Sequence, residues 1–194
     1  EEINVFCLFI QFGDDPGSLF WDAVSLEEVP EGPDCTGLDD PNKVVEDSTA
    51  PYEGFMNVFN LDGTYAFGSA WGIPDLTATF DDGASTVEMK PVGIDTADEF
   101  WYAFGVGGPG AIGNKEMEAN LFQSTGACLA GQTVTFSGTV ESNTFTEDYL
   151  AEIWIKDFTG DFQSFEEVRI PATPGPFSIS LDTIDDPSRV VQWG

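Results

Sequence analysis

The chain has 194 residues, which is enough for one well-buried core or for a core with an additional arm. Its apolar content of 41% and aromatic content of 13% exclude a chain that is disordered throughout, and its many Gly, Pro and Phe residues indicate an all-β protein. A formal charge of −29 repels nucleic acid and anionic membrane surfaces, and the absence of histidine excludes the usual hydrolytic triads.

Residues 1–29 are predicted to form an N-terminal arm of two strands. The first strand is apolar at eight of the ten positions from residue 3 to residue 12, and a strand that is apolar on both faces must be buried on both sides. Two interpretations remain open: a central strand of its own sandwich, or a strand inserted into the core of a partner. The residues predicted to make this contact are Ile3, Val5, Phe6, Cys7, Leu8, Phe9, Ile10 and Phe12 in the first strand and Leu19 and Trp21 in the second.

Two stretches of the chain share the pattern apolar, apolar, Gln, aromatic, Gly. They are residues 9–13 (FIQFG) and residues 190–194 (VVQWG), and only the first is followed by a further strand, at 19–26. The chain therefore looks as if it begins with the strands that should follow its end. The arrangement fits one period of a tandem repeat, a circularly permuted sandwich or a subunit that completes its neighbour, with a chance match of five residues as the remaining alternative.

Residues 30–42 are rich in Pro, Gly and Asp and are predicted to be a rigid connector. Residues 43–194 are predicted to form an antiparallel β-sandwich of jelly-roll type, because many short runs alternate apolar and polar residues. The segment from Tyr149 to Phe158 also fits a helical stripe, but three consecutive bulky residues at 153–155 favour a strand. Strands are expected near 54–60, 64–70, 76–80, 85–90, 100–105, 117–123, 132–141, 150–158, 165–170, 176–182 and 189–193.

Acidic pairs recur in the predicted turns, three times as Asp-Asp-Pro and once as Asp-Asp-Gly. Turn formation explains them, because Asp accepts hydrogen bonds from the nearby backbone and Pro fixes the backbone of the next position. Adjacent carboxylates in loops also suit calcium, the one cofactor that the sequence suggests, although no EF-hand spacing is present. The candidate calcium-binding residues are Asp14, Asp15, Asp39, Asp40, Asp81, Asp82, Asp185 and Asp186.

Three cysteines are too few and too widely spaced for a metal site. Cys35 and Cys128 both lie in Gly-rich turn surroundings and are the candidate disulfide pair in an oxidising compartment. Cys7 lies in the apolar strand of the arm and is expected to be a buried small hydrophobe.

No segment carries a recognisable catalytic motif, and the chain is not expected to be an enzyme. The Gly-rich loop at 104–115 lacks the Lys-Ser/Thr pair of a phosphate-binding loop. A carboxylate-pair glycosidase needs two acids placed in one site, whereas most acids here lie in predicted turns.

The aromatic residues provide the remaining functional signal. Trp101 and Tyr102 are neighbours in a predicted strand, so they point to opposite faces and one of them is expected to be exposed. An exposed ring can pack on the CH face of a sugar while a neighbouring polar group binds its hydroxyls. The candidate glycan platform is therefore Trp101 or Tyr102 with Asn114 of the Gly-rich loop, although the same ring could instead lie in a subunit interface.

Several motifs in the middle of the chain point to a known kind of domain: GFMNVF at 54–59, YAFGSAWG at 65–72, the Gly-Asn-Lys of 113–115, and VTFSG at 134–138. On these motifs, residues 53–158 resemble the jelly-roll, carbohydrate-binding-module-like domains of secreted and surface proteins of marine bacteria. Residues 17–26 separately resemble the closing strand of many carbohydrate-binding modules, yet here that strand comes first. The resemblance implies a secreted β-sandwich without catalysis of its own and supplies no set of binding residues.

Two functions remain in view for an extracellular or cell-surface protein. The favoured one is a non-catalytic structural subunit that joins copies of itself head to tail by strand donation. The alternative is a polysaccharide-binding module of a larger secreted protein. Neither needs nucleic acid as a partner, and no run of apolar residues is long enough for a membrane-spanning helix.

Overall fold

The structure is a computed structural model that describes residues 7–11, 19–27, 48–108, 110–146 and 149–194. For residues 7–11 and 19–27 it describes the course and pairing of the backbone. The described residues form strands, turns and two short 3₁₀ segments, so the predicted antiparallel β-sandwich is confirmed. Among these residues, no helix has the length and apolar content needed to cross a membrane.

The strands lie close to the positions predicted from the alternation of apolar and polar residues, including the segment that was ambiguous between helix and strand. The 3₁₀ segments are Ile73–Leu76 and Gly126–Leu129. The strands are β1 (Cys7–Gln11), β2 (Leu19–Glu27), β3 (Glu53–Asn60), β4 (Tyr65–Trp71), β5 (Thr79–Asp81), β6 (Thr86–Met89), β7 (Tyr102–Phe104), β8 (Ile112–Gly113), β9 (Lys115–Ser124), β10 (Thr133–Asn143), β11 (Tyr149–Phe158), β12 (Phe165–Pro171), β13 (Gly175–Asp182) and β14 (Val190–Trp193).

Two sheets form the sandwich, and every strand pair in them is antiparallel. In the first sheet, β4, β3 and β9 are successive neighbours, β11 pairs with β12, and both β14 and β1 pair with β9 and with β11. The second sheet has the order β13, β10, β2, β6, β5. A separate ribbon of β7 and β8 lies outside these sheets. The two N-terminal strands thus belong to different sheets.

The core lies between the sheets and is filled by alternate residues of their strands. Val134, Phe136 and Val140 of β10 are buried, as their alternation with threonine and serine predicts. On the facing sheet, Ile153 and Ile155 of β11 are completely buried. One buried face on each sheet is the arrangement that makes a two-layer sandwich stable.

The segment predicted as a strand at 76–80 is partly different. Residues 73–76 form a 3₁₀ turn and the strand begins only at Thr79. Pro74 occupies the first turn, the Asp75 carboxylate accepts the backbone N–H of Gly72 at 2.8 Å, and Thr77 adopts a left-handed φ of 49°. Proline lacks a backbone N–H for a strand ladder and a left-handed residue interrupts the strand, so this local chemistry overrides the apolar pattern.

Candidate functional site

Two separate strands occupy one strand position in the first sheet, the position between β9 and β11, which we call the central position. β14 fills one half of it by pairing with residues 155–158 of β11 and 123–124 of β9. β1 fills the other half by pairing with residues 149–152 of β11 and 116–120 of β9. Because both strands are antiparallel to the same neighbours, they run in the same direction, one after the other.

The two strands also follow each other in a continuous register. The residues of β9 that pair with Trp193 and with Cys7 are three positions apart, and the same is true on β11. Gly194 extends β14 by one pair, since it exchanges two backbone hydrogen bonds of 2.7 and 3.0 Å with Trp154. Only one ladder position therefore separates Gly194 from Cys7. Residues 9–11 of the first patterned stretch and residues 190–193 of the second thus belong to two strands that share one position in the sheet, whereas residues 12 and 13 lie outside the described residues.

The predicted assembly residues that lie in the described part of the chain pair within the chain itself. Leu8 of β1 pairs with Ala119 and Ala151, which are both buried. In the second sheet, Trp21 of β2 pairs with Val140. Cys7, Phe9 and Ile10 are also in β1, Leu19 is in β2, and the remaining predicted residues, Ile3, Val5, Phe6 and Phe12, lie outside the described residues.

An ion cluster crosses the central position from β9 to β11 and β12. The Lys156 ammonium lies 3.3 Å from Glu118 Oε1, and both side chains are almost fully buried. Arg169 lies 2.7 Å from Glu152 and from Glu167, and 3.9 Å from Glu118. Burial disfavours the charge on Arg169, but hydrogen bonds to Glu167 and Glu152 outweigh it and raise the pKa of the guanidinium above its ordinary value. The cluster therefore links three elements, β9, β11 and β12, around the central position.

A second buried ion pair attaches the turn before β14 to β11. Asp157 is completely buried, and its Oδ1 accepts a hydrogen bond of 2.7 Å from Arg189 Nε. Its Oδ2 accepts the backbone N–H of Ile184 at 2.8 Å. Because both carboxylate oxygens have donors, the charge is compensated and the approach of β14 to the central position is fixed.

The three residues of the predicted glycan platform lie together near the ribbon of β7 and β8. The backbone N–H of Asn114 donates to the Trp101 carbonyl at 2.9 Å. Trp101 is half-buried and packs edge-on against Phe100 at 5.0 Å between ring centroids, while Tyr102 is buried. The ring of Trp101, rather than that of Tyr102, is thus the one in partial contact with solvent.

The acidic pairs act in turns wherever the structure describes their contacts. Asp81 accepts the backbone N–H groups of Gly83 and Ala84 at 3.0 and 3.1 Å, and Asp82 accepts that of Ser48 at 2.9 Å. A hydrogen bond from the Ser188 backbone lowers the pKa of Asp186. No group of three or more Cys, Asp or Glu residues suitable for a metal occurs in the described ranges. Of the other calcium candidates, Asp185 lies beside Gly131, and Asp14, Asp15, Asp39 and Asp40 lie outside those ranges.

Cys128 lies in the second 3₁₀ segment, is buried and forms a disulfide bond. The predicted partner, Cys35, lies outside the described residues, and the structure describes only the backbone of Cys7. Pairing of Cys35 with Cys128 therefore stays a prediction.

The sequence did not single out the residues of the two buried ion clusters. Lys156 did offer a sequence signal for such a pair. A lysine within the mostly apolar run of β11 is expected to be buried, and a buried lysine needs an acidic partner. The partner could not be named, since Glu118 lies 38 residues away in the chain. Only the strand order brings the two together.

Comparisons with models of protein families, with curated proteins and with solved structures gave no match.

Proposed function

We propose that this chain is a non-catalytic, extracellular structural subunit that assembles with copies of itself by exchanging its N-terminal strands. The observation that carries the proposal is the central position, which β1 and β14 fill end to end in one register. In the single chain β1 closes its own sheet. In the assembly, the β1 of a neighbouring copy takes the same place.

Exchange of β1 between two copies needs no new kind of contact. The ladder that holds β1 joins backbone groups, and these are the same in every copy of the chain. The β1 strand bonds to β9 on one side and to β11 on the other, so the receiving site offers two rows of backbone donors and acceptors. Such β-strand addition derives affinity from the ladder and register from the alternate side chains. The contact joins two different surfaces, so it is head-to-tail and propagates unless a rotation closes a ring.

The balance between closure within one chain and exchange between chains depends on concentration. The closed single chain and the exchanged assembly both bury β1 in the central position. When β1 is tethered to its own sandwich by a short flexible connector, its effective concentration at that position is on the order of millimolar. The connector at 30–42 contains three prolines, the last of them in the closing Asp-Asp-Pro, a composition typical of linkers stiffer than flexible ones. We therefore expect exchange to rise steeply as the protein approaches that concentration.

Two features support an extracellular location and a structural role. The disulfide of Cys128 suits an oxidising compartment, because disulfides persist there and are rare in the cytosol. The charge of −29 keeps assembled subunits from bundling side by side, until salt screens the repulsion.

Light scattering after size-exclusion chromatography, with negative-stain microscopy, tests the proposal over a range of protein concentrations. The intact chain should form head-to-tail oligomers or fibres, and deletion of residues 1–29 should abolish them. Leu8→Pro should also prevent assembly, because proline removes a backbone donor from a strand that is paired on both sides, whereas Leu8→Val is the matched control.

A synthetic peptide of residues 1–29 provides the complementary measurement. It should bind the truncated chain and cap the assembly of the intact chain, while a peptide of scrambled sequence should do neither. An intact chain that stays monomeric at millimolar concentration, or a truncated chain that still polymerises, rules strand exchange out.

A further inference from the structure

A cleft of about 480 Å³ lies on the first sheet, on the face turned away from the core. Phe55 and Asn57 line it, and along β3 they alternate with Met56 and Val58, which are buried in the core. This volume falls within the range of about 300–1,000 Å³ that is usual for small-molecule sites. The cleft lies apart from the predicted glycan platform but borders the central position, because its lining residue Asn120 pairs with Cys7 and its lining residues Lys156 and Gln192 pair with each other.

The floor of the cleft carries polar groups between apolar walls. Asn57 donates a hydrogen bond of 3.0 Å to Glu118, which fixes the orientation of its amide, and the amide of Gln192 from β14 lies on the same floor. Trp154 also lines the cleft, and its buried indole N–H has no hydrogen-bond partner. A buried donor without a partner costs about 1–3 kcal/mol, so its presence calls for an explanation.

The rim of the cleft exposes two aromatic rings. Tyr65 from the start of β4 is 59% exposed, and Phe162 from the turn between β11 and β12 is 52% exposed. Phe162 adopts a φ of 57°, a left-handed conformation that is rare for a bulky residue. The ring of Phe158 packs against it at 5.4 Å between centroids and supports it. Water-exposed rings above a polar floor are the arrangement that packs on the CH faces of sugars and binds their hydroxyls.

We propose that this cleft binds a neutral carbohydrate chain, with sugar rings against Tyr65 and Phe162 and hydroxyls on the amides of the floor. The charges favour a neutral ligand. Lys156 is the one basic residue among the described lining residues; it is already paired with Glu118 at 3.3 Å and lies 4.5 Å over the Trp154 ring. No free cation of the described lining therefore compensates a sulfate or a carboxylate, and the charge of −29 repels both.

The cleft shares β9, β11 and β14 with the central position, but the rim residues Tyr65 of β4 and Phe162 of the turn after β11 pair with neither β1 nor β14. Tyr65→Ala and Phe162→Ala should therefore weaken carbohydrate binding and leave assembly unchanged. The failure of one proposal can therefore be told from the failure of the other.

Affinity electrophoresis of the intact chain tests the cleft with laminarin, xyloglucan and galactomannan as neutral probes and carrageenan and alginate as anionic ones. We expect retardation by at least one neutral polysaccharide and by neither anionic one, with little change on addition of salt, since no ion pair forms. Tyr65→Ala and Phe162→Ala should each weaken binding about three- to tenfold, as the loss of one aromatic contact does. Phe104→Ala is the matched control, because Phe104 is 70% exposed and lies outside the cleft.

Tryptophan fluorescence supplies a second readout that does not depend on the rim variants. A polysaccharide bound on the floor of the cleft should change the surroundings of Trp154, which lines it, and shift the emission, and Trp154→Phe should remove that shift. The proposal is overturned if none of the neutral probes retards the folded protein, if the anionic probes bind as well as the neutral ones, or if both rim variants bind like the unsubstituted chain.

Discussion

At the scale of single residues, the ion cluster of Glu118, Lys156 and Arg169 matters for stability because Glu118 and Lys156 are almost fully buried. Removing a charged pair from water costs several kcal/mol for each ion, so such a pair is weak evidence for net stability. Breaking it is costly, however, because the remaining charge stays buried without compensation. Here the two charges come from β9 and β11, and the pair ties together the strands on both sides of the central position.

Glu118→Gln should therefore destabilise the fold by about 3 kcal/mol, because it leaves the Lys156 ammonium buried without a counter-charge. Urea unfolding followed by tryptophan fluorescence measures the loss. Glu88→Gln is the matched control: its partner Lys90 lies at 2.9 Å but is half-exposed, and a surface pair contributes less than about 1 kcal/mol. A loss for Glu118→Gln no larger than that for Glu88→Gln contradicts this account.

At the scale of secondary-structure elements, the central position explains why the first sheet tolerates two strands in one place. β14 and β1 meet end to end, and each pairs with β9 and β11 over a different part of their length. Gly194 stands at this junction. A Cβ added there would lie 2.3 Å from the Leu121 carbonyl oxygen and 2.9 Å from Phe122 Cβ. The junction thus has no room for a side chain.

Gly194→Ala should push β14 away from β9 and lower the free energy of unfolding by about 1–3 kcal/mol, as overpacking in a well-packed core does. Thermal and urea unfolding measure the change. Gly93→Ala is the control, because a Cβ at Gly93 meets no atom within 4 Å. Equal stability of the two variants would show that the junction is looser than these distances indicate.

At the scale of the whole molecule, the charge of −29 opposes both folding and assembly. Six basic residues face 35 acidic ones, and four of the six are held in the ion pairs of Lys90, Lys156, Arg169 and Arg189. Most acidic residues therefore have no partner of opposite charge, and self-repulsion of this kind weakens a compact state. Dissolved ions shorten the range of the repulsion to about 10 Å at 0.1 M.

Sodium chloride should accordingly raise the unfolding temperature and promote the association of finished assemblies. Differential scanning fluorimetry and light scattering over a salt series measure both effects. Calcium chloride at matched ionic strength should give the same increase, since Asp81, Asp82 and Asp186 already bind backbone N–H groups in their own turns. A much larger stabilisation by low calcium concentrations contradicts this and points to a dedicated calcium site.

The sequence by itself determined the local structure of this protein. Alternation such as that of Val134, Phe136 and Val140 predicted both the strand and its buried face, because a strand places successive side chains on opposite faces. The sequence also predicted the acidic turns, since Asp81 accepts the backbone N–H of Gly83 as expected for an Asp at the start of a turn. Where the apolar pattern and local backbone chemistry disagreed, at 76–80, a proline and a left-handed residue decided the outcome.

Only the tertiary structure decided which strands become neighbours, because pairing between distant strands depends on the packing of the whole chain and leaves no periodic trace in the sequence. The repeat at 9–13 and 190–194 suggested a relation between two strands, but their common position required the registers of β9 and β11. The Glu118–Lys156 pair and the cleft above Trp154 likewise depend on which strands are neighbours in the sheet. Their residues come from five strands and one turn, and the order of the strands in the sheet places them side by side.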